Sequence, residues 1–314
     1  MNNPFFSVII PTYNQASFLE ASLRAVFQQT FKNYEIIVID NHSSDNTTSL
    51  VKRYKKKIIY KKINNNGIIA KSRNLGIKLA KGKWIAFLDS DDYWSKDKLK
   101  ITHQLAKKYL PKVICHSEWI SYPKNKKNKI WTYGPYKKNF YRLLLKHGNR
   151  LSTSATIVEK NFLRKNKILF DEQKKFITSE DYNFFMDLAH KGANFYFTIK
   201  PLGYHFFHKK SASSNLSKHL KSLETVIKHH VFNVQEFTKN KKLLWREIKE
   251  SLNLRNSIFN FKNVSRIQQS KEIMSFLINK PLFTLNYINS LLFKKIKESL
   301  IYLFYKLKFF TFTS

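Results

Sequence analysis

An apolar run that ends in acids constrains this chain more than any other stretch. Residues 83–92 read KWIAFLDSDD: Trp84, Ile85, Ala86, Phe87 and Leu88, then three carboxylates within four positions. Such a run predicts a strand buried on both faces, as in a parallel sheet covered by helices. A strand of that kind delivers its last side chains to the carboxyl edge, where open α/β sheets bind ligands. Asp89 and Asp91 alternate along an extended chain, so both can face one point with Ser90 turned away. Acids this close repel one another unless something positive sits among them. A hard divalent cation would answer, since magnesium takes one or two carboxylates plus substrate phosphates. The other reading is a solvated acidic turn capping a helix that begins near Ser95.

The flanking chain supplies the alternation that such a sheet needs. Residues 5–10 form an apolar, strand-like run closed by Pro11, and helical spacing follows through Phe18, Leu19, Leu23, Val26 and Phe27. A second strand, 34–39, ends at Asp40 and the polar turn NHSSDNT. Helix 47–57, strand 58–60 and helix 68–80, closed by Gly82, lead into the acidic strand. Alternation of this kind predicts an α/β fold, with a mostly parallel sheet sandwiched by helices and right-handed crossovers. Further on, the pattern predicts helices at 96–109 and 179–190, and strands at 113–119, 152–158, 195–199 and 202–207. Residues 122–141 read as a loop or lid. Past Ser211 the texture turns to helices without glycine, which divides the chain into a domain 1–210 and a basic α-helical region 211–314.

A net charge of +36 raises nucleic acid, a membrane surface or anionic substrates as partners. The cations are nearly all Lys, spread through every segment, and no helix-turn-helix, RNA-recognition or zinc signature accompanies them, so nucleic acid is not the expected partner. Cys115 is the single cysteine, which excludes an internal disulfide and suits a reducing cytosol. The N-terminal MNNPFFSVII lacks the charged and apolar regions of a signal peptide, and no stretch reaches the roughly 18 to 20 apolar residues of a membrane span. The final ESLIYLFYKLKFFTFTS mixes cations with aromatics. It fits a helix lying in an anionic membrane surface, or a helix docked on the first domain with Lys outward.

Together, SVIIPTYN, IDNHSSDNT, NGIIAKSRNLGIKLAKGKWIAFLDSDD and SEDYNFF resemble the family 2 glycosyltransferases of the GT-A fold, over residues 5–210 and in the family's order and spacing. The resemblance implies a nucleotide-diphospho-sugar donor, a divalent metal (Mn2+ or Mg2+) and inversion at the anomeric carbon. It implies that Pro11, Thr12 and Tyr13 line the nucleotide pocket and that Asp40 stands near the base or ribose. Asn41 departs from the family, which often has a second acid there. Gly67, Lys71 and Arg73 match the stretch whose basic side chain approaches the nucleotide or diphosphate. Asp89, with Ser90 beside it, would touch ribose or metal, Asp91 the metal, and Asp92 would support the site.

The same resemblance makes Asp181 the base and Glu180 the group that orients acceptor or base; as plain residues, two acids that begin a helix also suit its dipole. His208 in YHFFHKKSASS matches a metal or phosphate contact, although Phe206 replaces a basic residue common in relatives. The implied acceptor is a lipid-linked or polysaccharide glycan of lipopolysaccharide, O-antigen or capsule synthesis, met at the cytoplasmic face of the membrane. The alternatives are a sugar nucleotidyl or phosphosugar transferase on a similar fold, and a basic nucleic-acid-binding protein.

Overall fold

The structure, a computed structural model, describes residues 3–121, 129–206, 208 and 215–259, the last six as backbone only. The expected alternation forms its first half. It runs β1 (Phe6–Thr12), α1 (Ala16–Phe27), β2 (Tyr34–Asp40), α2 (Thr47–Lys52), β3 (Ile59–Lys62), α3 (Ile69–Leu79) and β4 (Trp84–Phe87). These strands lie in the order β3-β2-β1-β4, every pair parallel, with Thr12 beside Asp40 and Ile9 beside Phe87. Parallel pairing puts all four carboxyl ends on one edge, so the turns after Thr12, Asp40 and Leu88 become neighbours. β1 is buried along its whole length and β4 likewise, as strands covered on both faces must be.

The second half mixes directions. Its elements are β5 (Tyr93–Trp94), α4 (Lys98–Tyr109), β6 (Val113–Ser121), β7 (Lys129–Trp131), α5 (Phe140–His147), β8 (Thr156–Glu159) and α6 (Lys160–Asn166). After them come α7 (Glu180–His190), β9 (Phe195–Phe206), α8 (Leu216–His229) and α9 (Lys241–Phe259). The sheet continues β4-β8-β6-β9-β5; β8 joins β4 and β6 antiparallel, while β6 and β9 are parallel. The two strands expected at 195–199 and 202–207 are one strand, β9. Its register on β6 shifts where Pro201, which has no N–H to donate, sits opposite Ser117. β7 and the start of α5 fall inside the segment expected to be a loop, whose residues 122–128 lie outside the described ones.

The chain divides into two compact units, Met1–Tyr141 with Asn149–Val226, and Arg142–Gly148 with Ile227 onward. The first holds every site residue expected from the sequence. In the second, Val231, Leu244 and Ile248 are buried, and Lys146 pairs with Glu247 at 3.1 Å. No helix among the described residues is long and apolar enough to cross a membrane. Residues 260–314, including the aromatic and basic C-terminal stretch, lie outside them.

Candidate active site

The acidic turn that follows β4 is held from several sides. Ser154 Oγ accepts the Asp89 N–H at 3.0 Å and donates to Asp92 Oδ2 at 2.6 Å. Ser22 Oγ donates to the carbonyls of Ser90 and Asp92, and Ser90 Oγ donates to Gln15 Oε1. The Phe206 N–H reaches Asp92 Oδ1 at 3.0 Å. Ser90 and Asp92 are thereby turned inward, whereas the side chains of Asp89 and Asp91 keep 30% and 20% exposure. The segment is not the extended chain expected from the sequence but a turn closed by the Asp92 N–H on the Asp89 carbonyl at 3.0 Å, which leaves Asp89 and Asp91 partly exposed with Ser90 buried between them. Burial, then the neighbouring charges of Asp92 and Asp89, pushes Asp91 up to about 6, and His208 opposes the shift. His208 Nε2 lies 2.8 Å from Asp91 Oδ2, so two of the expected metal contacts stand side by side.

Arg73 joins this turn to the second acid pair. The buried face of α3 carries Ala70, Arg73, Gly76 and Ile77, which is helical spacing toward the sheet. Arg73 is 3% exposed; Nη2 donates to Asp89 Oδ1 and Nη1 to Glu180 Oε1, both at 2.7 Å. The guanidinium also lies 5.2 Å from the centre of the Phe170 ring. The side chain expected to approach the diphosphate is thus committed to two carboxylates. Burial works against its charge, but Asp89 and Glu180 outweigh burial and hold the proton more firmly than usual. Lys71 on the same helix is half-buried.

Glu180 and Asp181 open α7, where the helix dipole favours them. Asp181 Oδ1 accepts the Tyr182 N–H at 2.7 Å. Burial and the Glu180 charge raise Asp181 to about 7, against the pull of Arg73. A carboxylate poised near neutrality is suited to taking a proton.

On the other side of β1 lie the expected nucleotide residues. Pro11 and Thr12 close β1, Thr12 Oγ1 is buried without a partner, and Tyr13 is 57% exposed. Asp40 is fully buried. It accepts the Ser43 N–H and hydroxyl on Oδ1 and the Tyr60 hydroxyl, at 2.6 Å, on Oδ2, so it shapes its turn. Asn14 and the 43–44 turn exchange hydrogen bonds, which ties the first two loops together. Asn41 Oδ1 accepts the Asn65 N–H at 2.8 Å. Gly67, at φ +72, donates its N–H to Asn65 Oδ1, and Asn65 Nδ2 donates to Ser72 Oγ. Thus Asn41 and Gly67 meet through Asn65, a residue the sequence did not single out.

Nor did it single out the polar support behind the acidic turn. Lys98 is fully buried, with Nζ 3.1 Å from the Trp94 ring centre and 3.3 Å from the Ser154 carbonyl. His205 Nδ1 lies 3.2 Å from Asp92; burial lowers the imidazole's proton affinity, yet Asp92 brings it up to about 10. Buried Glu118 accepts the Tyr133 hydroxyl at 2.6 Å and is raised to about 7 by burial and Asp92. No local spacing marks these groups, because the fold gathers them from α4, β6, β9 and the chain before β8.

The donor chemistry fits a hard divalent cation. Asp89 and Asp91 present oxygens from a crowded acidic turn, with the His208 imidazole beside them. No group of three His, Cys, Asp or Glu among the described residues is placed to hold a metal ion; with Asp89 and Asp91 as ligands, an ion would take the rest from substrate phosphates and water.

A parallel half-sheet with an acidic turn at its carboxyl edge, continued by a mixed half, is the fold of the GT-A glycosyltransferases. The model of glycosyl transferase family 2 matches residues 7–169, and the chain belongs to that family. The Escherichia coli UDP-Glc:alpha-D-GlcNAc-diphosphoundecaprenol beta-1,3-glucosyltransferase WfaP is 32% identical over 71% of this chain and 85% of its own length. Two uncharacterized Rickettsia glycosyltransferases are 47% and 48% identical over about a third of the chain, which spans only 17% and 16% of their lengths. Among solved structures, Staphylococcus aureus TarS 1-349 in complex with UDP-GlcNAc matches with a TM-score of 0.61 at 22% identity, over 86% of this chain and 79% of that one. The Pyrobaculum calidifontis mannosyltransferase PcManGT, in complex with GDP-Man and Mn2+, matches with a TM-score of 0.58 at 15% identity, over 92% and 80%.

Proposed function

We propose that this chain transfers a sugar from a nucleotide-diphospho-sugar to a lipid-linked or polysaccharide acceptor, with inversion, in cell-surface glycan synthesis such as lipopolysaccharide, O-antigen or capsule. The observation that carries the reading is Arg73. Its two nitrogens tie Asp89, which this reading sets beside the donor phosphates, to Glu180, which it sets beside the acceptor. The printed name of WfaP, with a UDP-glucose donor and a diphosphoundecaprenol acceptor, supports the substrate class.

In this reading Pro11, Thr12, Tyr13, Asp40 and Asn41 frame the base and ribose, with Asp40 acting through the turn it builds. Gly67 gives the backbone room, Lys71 faces the diphosphate, and Ser90 locks the turn that presents Asp89. Asp89, Asp91 and His208 would hold Mn2+ or Mg2+, which when bound supplies Lewis-acid stabilisation of the departing diphosphate. The acceptor hydroxyl attacks the anomeric carbon in line as Asp181 takes its proton. The bond from that carbon to the diphosphate oxygen breaks, and the nucleoside diphosphate leaves with the electron pair. Glu180 orients acceptor and base. Residues 1–210 form the catalytic domain and 211–314 a basic helical region that meets an anionic membrane surface or the acceptor, at the cytoplasmic face of the membrane.

The test is thermal stability against nucleoside diphosphates and nucleotide sugars, with and without Mn2+ or Mg2+. A ligand bound only by the folded state raises the midpoint by mass action. A metal-dependent rise with one base is expected; no rise with any of them, in folded protein, contradicts the donor site.

A further inference from the structure

Phe176 to Ser179, just before α7, form a type II turn. The Ser179 N–H donates to the Phe176 carbonyl at 2.9 Å, Ile177 lies at φ −53 and ψ 131, and Thr178 at φ +79. The second central position of such a turn requires a positive φ and ordinarily belongs to Gly or Asn. A β-branched residue there is strained. Neither Thr178 Oγ1 nor Ser179 Oγ has a hydrogen-bond partner, so these side chains give the turn no hold of their own. The hold comes from α8: His219 Nδ1 lies 2.9 Å from the Thr178 carbonyl, within the first compact unit. A carbonyl only accepts, so this nitrogen carries the proton.

The residues that follow the turn are Glu180 and Asp181. We propose that His219 is a positioning residue: it holds the strained Thr178 and thereby sets the angle at which α7 presents the acid pair. The inference rests on the catalytic reading of that pair given above. Retention of a strained residue beside a reacting group is expected where the surrounding structure over-determines the backbone. Small misplacements of a catalytic group lower turnover more than they lower substrate binding.

The test compares His219→Ala, His219→Asn, Thr178→Gly and the His219→Ala/Thr178→Gly double variant in the full chain. His219→Ala is expected to lower kcat about tenfold, with donor KM within about twofold, and to speed amide exchange at residues 179–183. His219→Asn, whose amide can stand in for Nδ1–H, keeps kcat within about threefold. Glycine takes a positive φ unaided, so in the Thr178→Gly background the His219→Ala change costs less than about twofold. That comparison also decides the matter where alanine alone unfolds the chain. A tenfold loss that persists in the glycine background, or a lowered melting midpoint with unchanged kcat per folded molecule, overturns the proposal. Asp181→Asn is measured alongside: wild-type turnover there removes the catalytic reading of the acid pair, while amide exchange at 179–183 still reports whether His219 holds the turn.

Discussion

Arg73 carries the tightest residue-scale constraint, since it neutralises two carboxylates from elements far apart in the chain. Removing one partner of a buried ion pair leaves the other charge uncompensated, which costs about 3–5 kcal/mol. Arg73→Ala should lose about that much in denaturant unfolding, and Arg73→Lys about 1–3 kcal/mol, because an ammonium cannot span both acids. Wild-type stability in Arg73→Ala would contradict the bridge. Asp181 gives a second expectation. Held near 7 by burial and Glu180, it is protonated below that pH and competent as a base above it. The turnover profile should therefore rise through about pH 7, and a profile flat from pH 5 to 8 would argue against its role. The acids at the strand end were legible as a cluster, but the turn over 89–92 that sets their directions was not, since the sequence suggested an extended chain there. Arg73's partners were not, because Glu180 lies 107 positions away and only the fold brings them together.

At the element scale, α3 must lie close to β1 to carry Arg73 inward, and Gly76 allows it. A Cβ at Gly76 would stand 2.4 Å from Ile9 Cγ2, a buried methyl with no room to retreat. Gly76→Ala should therefore destabilise the chain by about 1–2 kcal/mol, overpacking outweighing the better helix propensity of alanine. A more stable variant would refute this packing. The strands and helices of the first half were legible because long apolar runs alternate with amphipathic ones. β5 and β7 escaped notice because two or three residues show no period, and β9 read as two strands because Pro201 interrupts its pattern.

In the whole molecule a parallel half that carries the proposed nucleotide residues is joined to a mixed half that brings back α7 and His208. Family membership rests on residues 7–169, and the acid pair on α7 lies just beyond them. The most direct measurement is therefore of Asp181→Asn: nucleoside-diphosphate release per folded molecule, with donor-induced stabilisation measured on the same sample. The account predicts that turnover falls by about 10²–10⁴-fold while the stabilisation by donor and metal persists. Turnover equal to the parent chain, with donor bound, would contradict it.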